Sequence, residues 1–197
     1  MTREDILSIA KPILFNTDMV RAILDDRKTV TRRKVEFLKG KNPNWTGYVK
    51  DGLMLYNGTN ETCIKPSTYK VGDYLYVRET WNTNPLSIYE YGNEPNRYVY
   101  KADYDGHGGD FGWKPSIHMP KEAARIFLRV TNVGVERLQD METSNDEHYH
   151  AEGAKDKHDF IRIWGSTMKP AEREKYGWYA NPWVWVIEFE RIYLEAN

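Results

Sequence analysis

Alternating apolar and polar residues mark the parts of the chain that we expect to form β-strands. The clearest such segments are residues 74–81, 124–138 and 183–192. The last of them is apolar over most of its length, which is typical of a central strand rather than an edge strand. Residues 11–15 form a shorter apolar run with Pro12 near its start, a position that an edge strand tolerates.

Apolar residues spaced three or four apart predict helices elsewhere in the chain. In the first of these helices Met19, Ala22 and Ile23 share one face, and Asn16 or Thr17 can cap its start. We therefore expect a short amphipathic helix directly after the first strand.

Two further helices are expected in the second half of the chain. Ser144 and Glu147 match a capping box, and Gly153 is a typical helix stop. Residues 156–176 then have a helical pattern with a break at Gly165. The apolar face of that pattern consists of Phe160, Ile163 and Trp164.

The remaining segments carry turn and loop signals. Residues 1–11 are polar and predict a loose lead-in. Residues 39–62 are rich in glycine and asparagine, and we expect a hairpin there with Asp51 and Gly52 in its turn. Residues 103–120 mix glycine with aromatic residues, which is typical of a functional lid or wall and equally of a loop that covers the end of a barrel.

Taken together, these elements predict one α+β domain over residues 1–197. No linker, repeat or low-complexity tract interrupts the chain, and 40% of its residues are hydrophobic, which is enough for a core. Because the strands outnumber the helices, we expect the sheet to curl into a barrel.

Charge and composition narrow the classes of partner. The net charge of -1 argues against binding to long duplexes, so a nucleic-acid site would have to be a local patch or a nucleotide pocket. Aromatic residues make up 14% of the chain and can stack on bases. The absence of a long apolar run or a secretory signal pattern predicts a cytoplasmic protein that does not bind membranes.

The densest chemical signal lies in residues 25–33. This segment holds four cations and two hydroxyls, and such a cluster attracts anions. Lys28 and Thr31 are three residues apart, so on a helical turn they would offer an ammonium and a hydroxyl to one ligand. The alternative is a solvated basic helix end, which the helix dipole favours.

Three more charged residues are candidates for a site. Arg78 and Glu79 lie near the end of the strand predicted over residues 74–81, where they form either a structural ion pair or a ligand clamp. Glu152 lies in the last turn of a predicted helix, where the dipole disfavours an acid but where a nearby lysine would stabilise it.

Several kinds of chemistry are not expected. The five histidines form no His-x-x-x-His pair, so we predict no metal site, and no dinucleotide, phosphate-loop or nucleophile-elbow motif is present to indicate a cofactor. The single Cys63 excludes an intramolecular disulfide and a cysteine zinc site. The residue types that remain suit a flat, polar ligand such as a nucleobase.

Eight short segments stand out when the chain is considered as a whole. They are residues 11–15, 19–24, 27–33, 72–81, 113–120, 135–140, 151–153 and 181–189. Together, and in this order, they resemble the ASCH family, and most closely the ASCH-domain proteins encoded in bacteriophages and prophages. The resemblance implies a PUA-like pseudobarrel with flanking helices, in a single domain with loop insertions near residues 39–68 and 82–120.

The resemblance also implies a set of catalytic residues. The ASCH signature is Gly-x-Lys-x-x-Glu-x-Arg, and this chain has Lys28 and Arg33 at the matching positions but Asp26 and Thr31 in place of the glycine and the glutamate. A threonine there also occurs in small bacterial ASCH amidohydrolases that remove the acetyl group of N4-acetylcytidine. By similarity to them, Lys28, Thr31 and Glu152 are the candidate catalytic residues.

Three functions stay open at this point. The chain recognises a modified nucleoside or single-stranded RNA and removes an N-acyl group from it, or it binds such a ligand without chemistry, or it is a ribonuclease. Burial would lower the pKa of Lys28 and make it a base, whereas a close acid would keep it charged. The candidate substrate-binding residues are Arg32, Arg33, Arg78, Glu79, Trp81, Trp113, Ser116 and His118.

Overall fold

A computed structural model describes residues 2–38, 49–50, 53–54, 64–83, 98–104, 112–142 and 146–194 of the chain. The α-helices in these ranges are α1 (Arg3–Ile9), α2 (Thr17–Leu24), α3 (Glu147–Ala151), α4 (Lys157–Ser166) and α5 (Arg173–Tyr176). The strands are β1 (Lys11–Leu14), β2 (Val30–Lys34), β3 (Val49–Lys50), β4 (Leu53–Met54), β5 (Tyr74–Arg78), β6 (Trp81–Thr83), β7 (Tyr98–Tyr100), β8 (Phe127–Arg137) and β9 (Trp183–Ile192).

The predicted α+β class is confirmed. Five strands form one mixed sheet in the order β1-β5-β8-β9-β2, in which β1 pairs with β5 in parallel and β2 pairs with β9 in antiparallel fashion. Among the described strands the order ends at β1 and β2, and no pairing closes the sheet into a barrel. The PUA-like pseudobarrel therefore stays a prediction.

The chain divides into two compact units. The first unit comprises Met1–Asp26, Tyr74–Leu128 and Arg191–Asn197, and the second comprises Arg27–Asp73 and Arg129–Glu190. No helix in the described ranges has the length and apolar content needed to cross a membrane. The expectation of a single domain stays a prediction.

The first unit packs its helices and strands around an apolar core. Ile13 on β1 is opposite Val77 on β5, and both side chains are fully buried. A second cluster joins Ile6 of α1 to Trp81 and Phe127. This burial provides most of the driving force for folding, because each large apolar side chain removed from water contributes about 1.5–3 kcal/mol.

The predicted lead-in is wrong, because residues 3–9 form helix α1. The Thr2 hydroxyl accepts a hydrogen bond from the Asp5 amide, and the Asp5 carboxylate accepts one from the Thr2 amide. This reciprocal capping satisfies amides that would otherwise lack partners at the start of the helix. Ile6 then anchors the helix in the core.

The predicted cap of helix α2 is confirmed. The Asn16 side chain accepts a hydrogen bond from the Met19 amide at 2.9 Å. The buried face of the helix consists of Val20, Ala22 and Ile23, so Met19 is less buried than its spacing suggested.

Replacing Asn16 with alanine is expected to lower the free energy of unfolding by about 1 kcal/mol, because the Met19 amide loses its acceptor. The Asn16→Asp variant keeps an acceptor and should retain nearly all of the stability. Urea denaturation of both variants checks this expectation, and an equal loss in the two would contradict it.

The central strand predicted over residues 183–192 matches β9, which lies between β8 and β2 and belongs to the second unit as far as Glu190. Helix α4 buries Phe160, Ile163 and Trp164 as predicted, and it ends at Ser166, one residue after Gly165.

The predicted hairpin is present as the antiparallel pair β3 and β4, whose turn residues 51–52 lie outside the described residues.

Two other boundaries differ from the predictions. Asp146 rather than Ser144 occupies the cap position of α3, and Ser144 itself lies outside the described residues. The predicted stop is confirmed, because Gly153 has a φ of 84°, a left-handed value that favours glycine. The strand predicted over residues 74–81 ends at Arg78, and a separate strand, β6, starts at Trp81.

Candidate functional site

The basic cluster lies in a turn and the strand that follows it. Asp26, with a φ of 56°, ends the turn after helix α2, and β2 begins at Val30. Lys28 therefore precedes the strand and Thr31 lies within it. The prediction that these two residues share a helical turn is wrong, because the chain at this point is extended.

Lys28 and Glu152 form a buried ion pair. The Lys28 ammonium donates to the Glu152 carboxylate at 2.8 Å, to the Glu152 backbone carbonyl at 2.7 Å and to the Val30 carbonyl at 2.7 Å. The Lys28 side chain is 0% exposed and that of Glu152 is 4% exposed. Glu152 is held there by its place at the end of helix α3, and the Thr29 amide also donates to the carbonyl of Ala151.

Arg32 extends this pair into a four-residue network. Its guanidinium donates to the second oxygen of the Glu152 carboxylate at 3.0 Å and to Glu136 at 2.8 Å. The predicted ligand contact Arg32 thus binds carboxylates of the chain itself. We call Lys28, Arg32, Glu136 and Glu152 the buried charge network.

Burial lowers the pKa of Lys28, although the Glu152 carboxylate acts in the opposite direction. Of the two effects that the sequence left open, loss of hydration therefore dominates. Lys28 therefore loses its proton and becomes a neutral amine at a lower pH than a lysine in water does.

This shift has a consequence for stability. Since the folded-state pKa of Lys28 lies below the usual 10.5, the unfolded chain binds more protons than the folded chain between those two pH values. The unfolding free energy of the wild type, relative to that of Lys28→Met, should increase as the pH rises toward 10.5 and decrease as the pH falls through the folded-state pKa. Urea denaturation of both proteins over that range measures the difference, and a flat or falling difference would refute the expectation.

Thr31 projects from the other face of the strand. Successive strand residues point to opposite faces, so Thr31 and Arg32 diverge. Thr31 is opposite Ile187 of β9, and its side chain is buried. The hydrogen bonds described above for Lys28 and Glu152 are to each other, to Val30 and to Arg32. Of the three predicted catalytic residues, the structure thus places Lys28 and Glu152 in direct contact.

A cavity of about 190 Å³ opens on the face of the sheet that carries Thr31. Arg33 lines it, and Trp185, the cross-strand neighbour of Arg33, lies beside it. We call this the unit-two cavity. Its described lining residues are Arg33, Lys34, Glu36, Lys65, Pro66, Ser67, Thr68, Tyr69, Trp185 and Ile187.

The polar side chains of this cavity are electrostatically coupled. Burial lowers the pKa of Arg33, while Tyr69 and Glu152 oppose this shift. Burial also raises the pKa of Tyr69, so that its phenol stays neutral and can both donate and accept a hydrogen bond. A guanidinium with reduced hydration beside a phenol attracts polar and anionic ligand groups.

Sequence reasoning found only Arg33 among these lining residues. The segment 65–69 gave no signal, because its hydroxyls and its proline are typical of any surface loop. Trp185 and Ile187 had been assigned to the interior of a strand. One pattern in β9 could have predicted part of the lining. Residues two apart in a strand share a face, so Trp185 and Ile187 lie on the same face of the sheet as their β2 neighbours.

The predicted pair Arg78 and Glu79 does not form an ion pair within itself. Arg78 donates to the backbone carbonyls of Met119, at 3.0 Å, and Ile117. The Glu79 carboxylate is instead bound by both arms of Arg125, at 2.9 and 3.0 Å. Burial raises the pKa of Glu79, and Arg125 opposes this shift. Glu79 thus belongs to a structural ion pair rather than to a ligand clamp, and its partner is Arg125.

The other predicted ligand contacts belong to the first unit as well. Trp81 is buried, its ring meets Tyr98 edge to face, and the ammonium of Lys114 lies 4.9 Å above it. Trp113 is half-buried and contacts the ring of Tyr104. Ser116 is half-buried and His118 is exposed, and both lie in one short 3-10 turn. Residues 105–111 of the predicted lid lie outside the described residues.

Comparison with known proteins adds no identification. No protein-family model matches the chain, and neither a curated protein nor a solved structure is significantly similar to it.

Proposed function

We propose that the chain recognises a nucleoside or a nucleotide, with the base in the unit-two cavity. The observation that carries this proposal is the composition of the cavity wall, which combines a guanidinium, three neighbouring hydroxyl-bearing residues and an aromatic floor. A nucleobase is a flat ring with donors and acceptors on its edge, and proteins bind it with such groups.

The hydroxyls of Ser67, Thr68 and Tyr69 can each donate and accept, so they adapt to the pattern of a base edge. Arg33 supplies a fixed fork of donors. Trp185 and Ile187 close the floor, since their side chains are almost fully buried. The cavity is below the usual range of about 300–1,000 Å³ for small-molecule sites, so it would hold a base and not a whole nucleotide.

The resemblance to ASCH domains supports the same proposal. That family has a PUA-like pseudobarrel, and the mixed five-stranded sheet of this chain is compatible with such a fold. The Lys28 and Arg33 positions of the signature flank Thr31 on β2, so one strand links the buried charge network to the unit-two cavity.

Hydrolysis of an N-acyl nucleoside is a second candidate function. The contact between Lys28 and Glu152 favours it, because burial lowers the pKa of Lys28 and makes it a stronger candidate for a general base. In this reaction Lys28, as the free amine, would take a proton from a water molecule while the water oxygen attacks the acyl carbon. The C–N bond would then break, and the amine leaving group would take up that proton as the carboxylic acid is released.

One experiment separates the two candidates. The purified protein is incubated with cytidine, N4-acetylcytidine and a short RNA, and bound and unbound material is analysed by mass spectrometry. Recognition predicts retention of unchanged nucleoside, reduced at least tenfold in Tyr69→Phe and unchanged in Arg162→Ala, which alters a residue that is not among the described lining residues. Retention equal in Tyr69→Phe and wild type, or none at all, would contradict recognition in this cavity.

The same samples test the chemistry. Conversion of N4-acetylcytidine to cytidine by the wild type, lost in Lys28→Met, would support the hydrolase. Conversion that survives in Lys28→Met, or no conversion, would rule out Lys28 as its catalyst. Thermal denaturation of each variant shows whether it is folded.

A further inference from the structure

The cations of the unit-two cavity exceed its anions. Its described lining contains Arg33, Lys34, Lys65 and the carboxylate of Glu36, and Glu172 binds Lys34 from outside that lining, so the cations exceed the carboxylates by one. A neutral nucleoside does not need this excess, because a base edge can be read by hydroxyls and amides. An excess of positive charge on a partly desolvated wall instead favours an anionic group on the ligand.

The two lysines lie at the mouth of the cavity. The side chains of Lys34 and Lys65 are 38% and 59% exposed, whereas Trp185 is 5% exposed. The cavity therefore has an apolar floor and a cationic rim. A base that enters it would place its sugar and any phosphate at that rim, because the volume is too small for both parts.

Each rim lysine forms an exposed ion pair with a carboxylate, which a ligand phosphate could replace. Lys34 contacts Glu172 at 2.5 Å and Lys65 contacts Glu36 at 2.6 Å, and all four side chains are partly exposed. Exposed ion pairs contribute little to stability, so replacing a carboxylate by a phosphate at these ammonium groups has a small cost. Glu36 and Glu172 would repel a phosphate, so the gain from the phosphate is its attraction to the two lysines less this repulsion.

We propose that the ligand of the unit-two cavity carries a phosphate, so that the chain discriminates nucleotides from nucleosides. This inference rests on the proposed function of the cavity. The phosphate belongs either to a free mononucleotide or to the end of an RNA strand. Lys34 and Lys65 contact it as point charges, and Arg33 lies nearer to the base.

Isothermal titration calorimetry tests the proposal with the four ribonucleosides, their 5′-monophosphates, and a short RNA with and without a 5′-phosphate. At least one monophosphate should bind about tenfold more tightly than its nucleoside, or more, and added salt should reduce this ratio. The double variant Lys34→Met/Lys65→Met should bring the ratio close to one by weakening monophosphate binding much more than nucleoside binding. Lys157→Met, which alters a lysine of the same unit that is not among the described lining residues, should leave the ratio unchanged.

The outcomes are distinguishable. Equal affinity for nucleoside and monophosphate, or a ratio that survives in the double variant, overturns this inference and leaves nucleoside recognition standing. Absence of binding by every ligand overturns both. A phosphate-dependent gain seen with mononucleotides assigns the site to free nucleotides, and a gain seen only with the RNA assigns it to strand ends.

Discussion

The Glu152→Ala variant is expected to lose about 3–5 kcal/mol of unfolding free energy, the largest effect of any single substitution considered for the second unit. The substitution removes the carboxylate that receives both Lys28 and Arg32, whose side chains are 0% and 4% exposed. Two buried cations would then repel each other and lack their common acceptor. Arg32 would retain Glu136, and Lys28 would retain the backbone carbonyls of residues 30 and 152.

Urea denaturation measures this loss, and two variants serve as controls. Glu172→Ala removes the carboxylate of an exposed pair with Lys34 and should change the stability very little. Lys28→Met/Glu152→Met removes both members of the buried pair and should recover much of the loss, because two apolar side chains fit such a site without an unpaired charge. A Glu152→Ala variant as stable as Glu172→Ala would contradict the buried charge network.

The second large effect is expected in the first unit. Arg125→Ala should lower the unfolding free energy by about 3 kcal/mol, because it leaves the Glu79 carboxylate, 1% exposed, without its bidentate partner. Arg125 also contacts Asp103 and lies 3.9 Å above the ring of Tyr100, so packing is lost as well. The partial exposure of Arg125 places the effect at the lower end of the range for buried pairs.

The pH dependence of this variant separates charge from packing. Without Arg125, burial and the negative charge of Asp103 both raise the pKa of Glu79 and hold it further above the usual 4.5. The folded variant then binds more protons than the unfolded chain, so its stability should fall as the pH rises above 4.5. Arg125→Ala/Glu79→Gln should lack this slope. If the single and double variants have the same pH profile, then the loss comes from packing alone.

The local parts of the fold could be predicted from the sequence. The β9 strand was found within its exact bounds because its alternation is long and no glycine or proline interrupts it. The Asn16 cap and the buried face of α4 were found because both depend on residues within one or two turns of each other. Helix α1 was missed, although Thr2 and Asp5 have capping-box spacing, because its short pattern contains one buried apolar residue.

The site depended on contacts that no local pattern contains. Glu79 was adjacent to Arg78 in sequence, yet it binds Arg125, 46 residues away. Lys28 and Thr31 were assigned to one helical face, whereas the extended chain separates them. The unit-two cavity combines β2, β9 and residues 65–69, and only the register of the sheet brings Arg33 beside Trp185. The pairing of Lys28 with Glu152 entered through the family resemblance rather than through spacing.

The measurement that tests the central claim most directly is a crystal structure of the protein with cytidine 5′-monophosphate. The proposal predicts the base in the unit-two cavity, beside Tyr69 and Trp185, with the phosphate within hydrogen-bond distance of Lys34 or Lys65. A ligand bound only elsewhere, or an unoccupied cavity at a saturating concentration of the nucleotide, would contradict it.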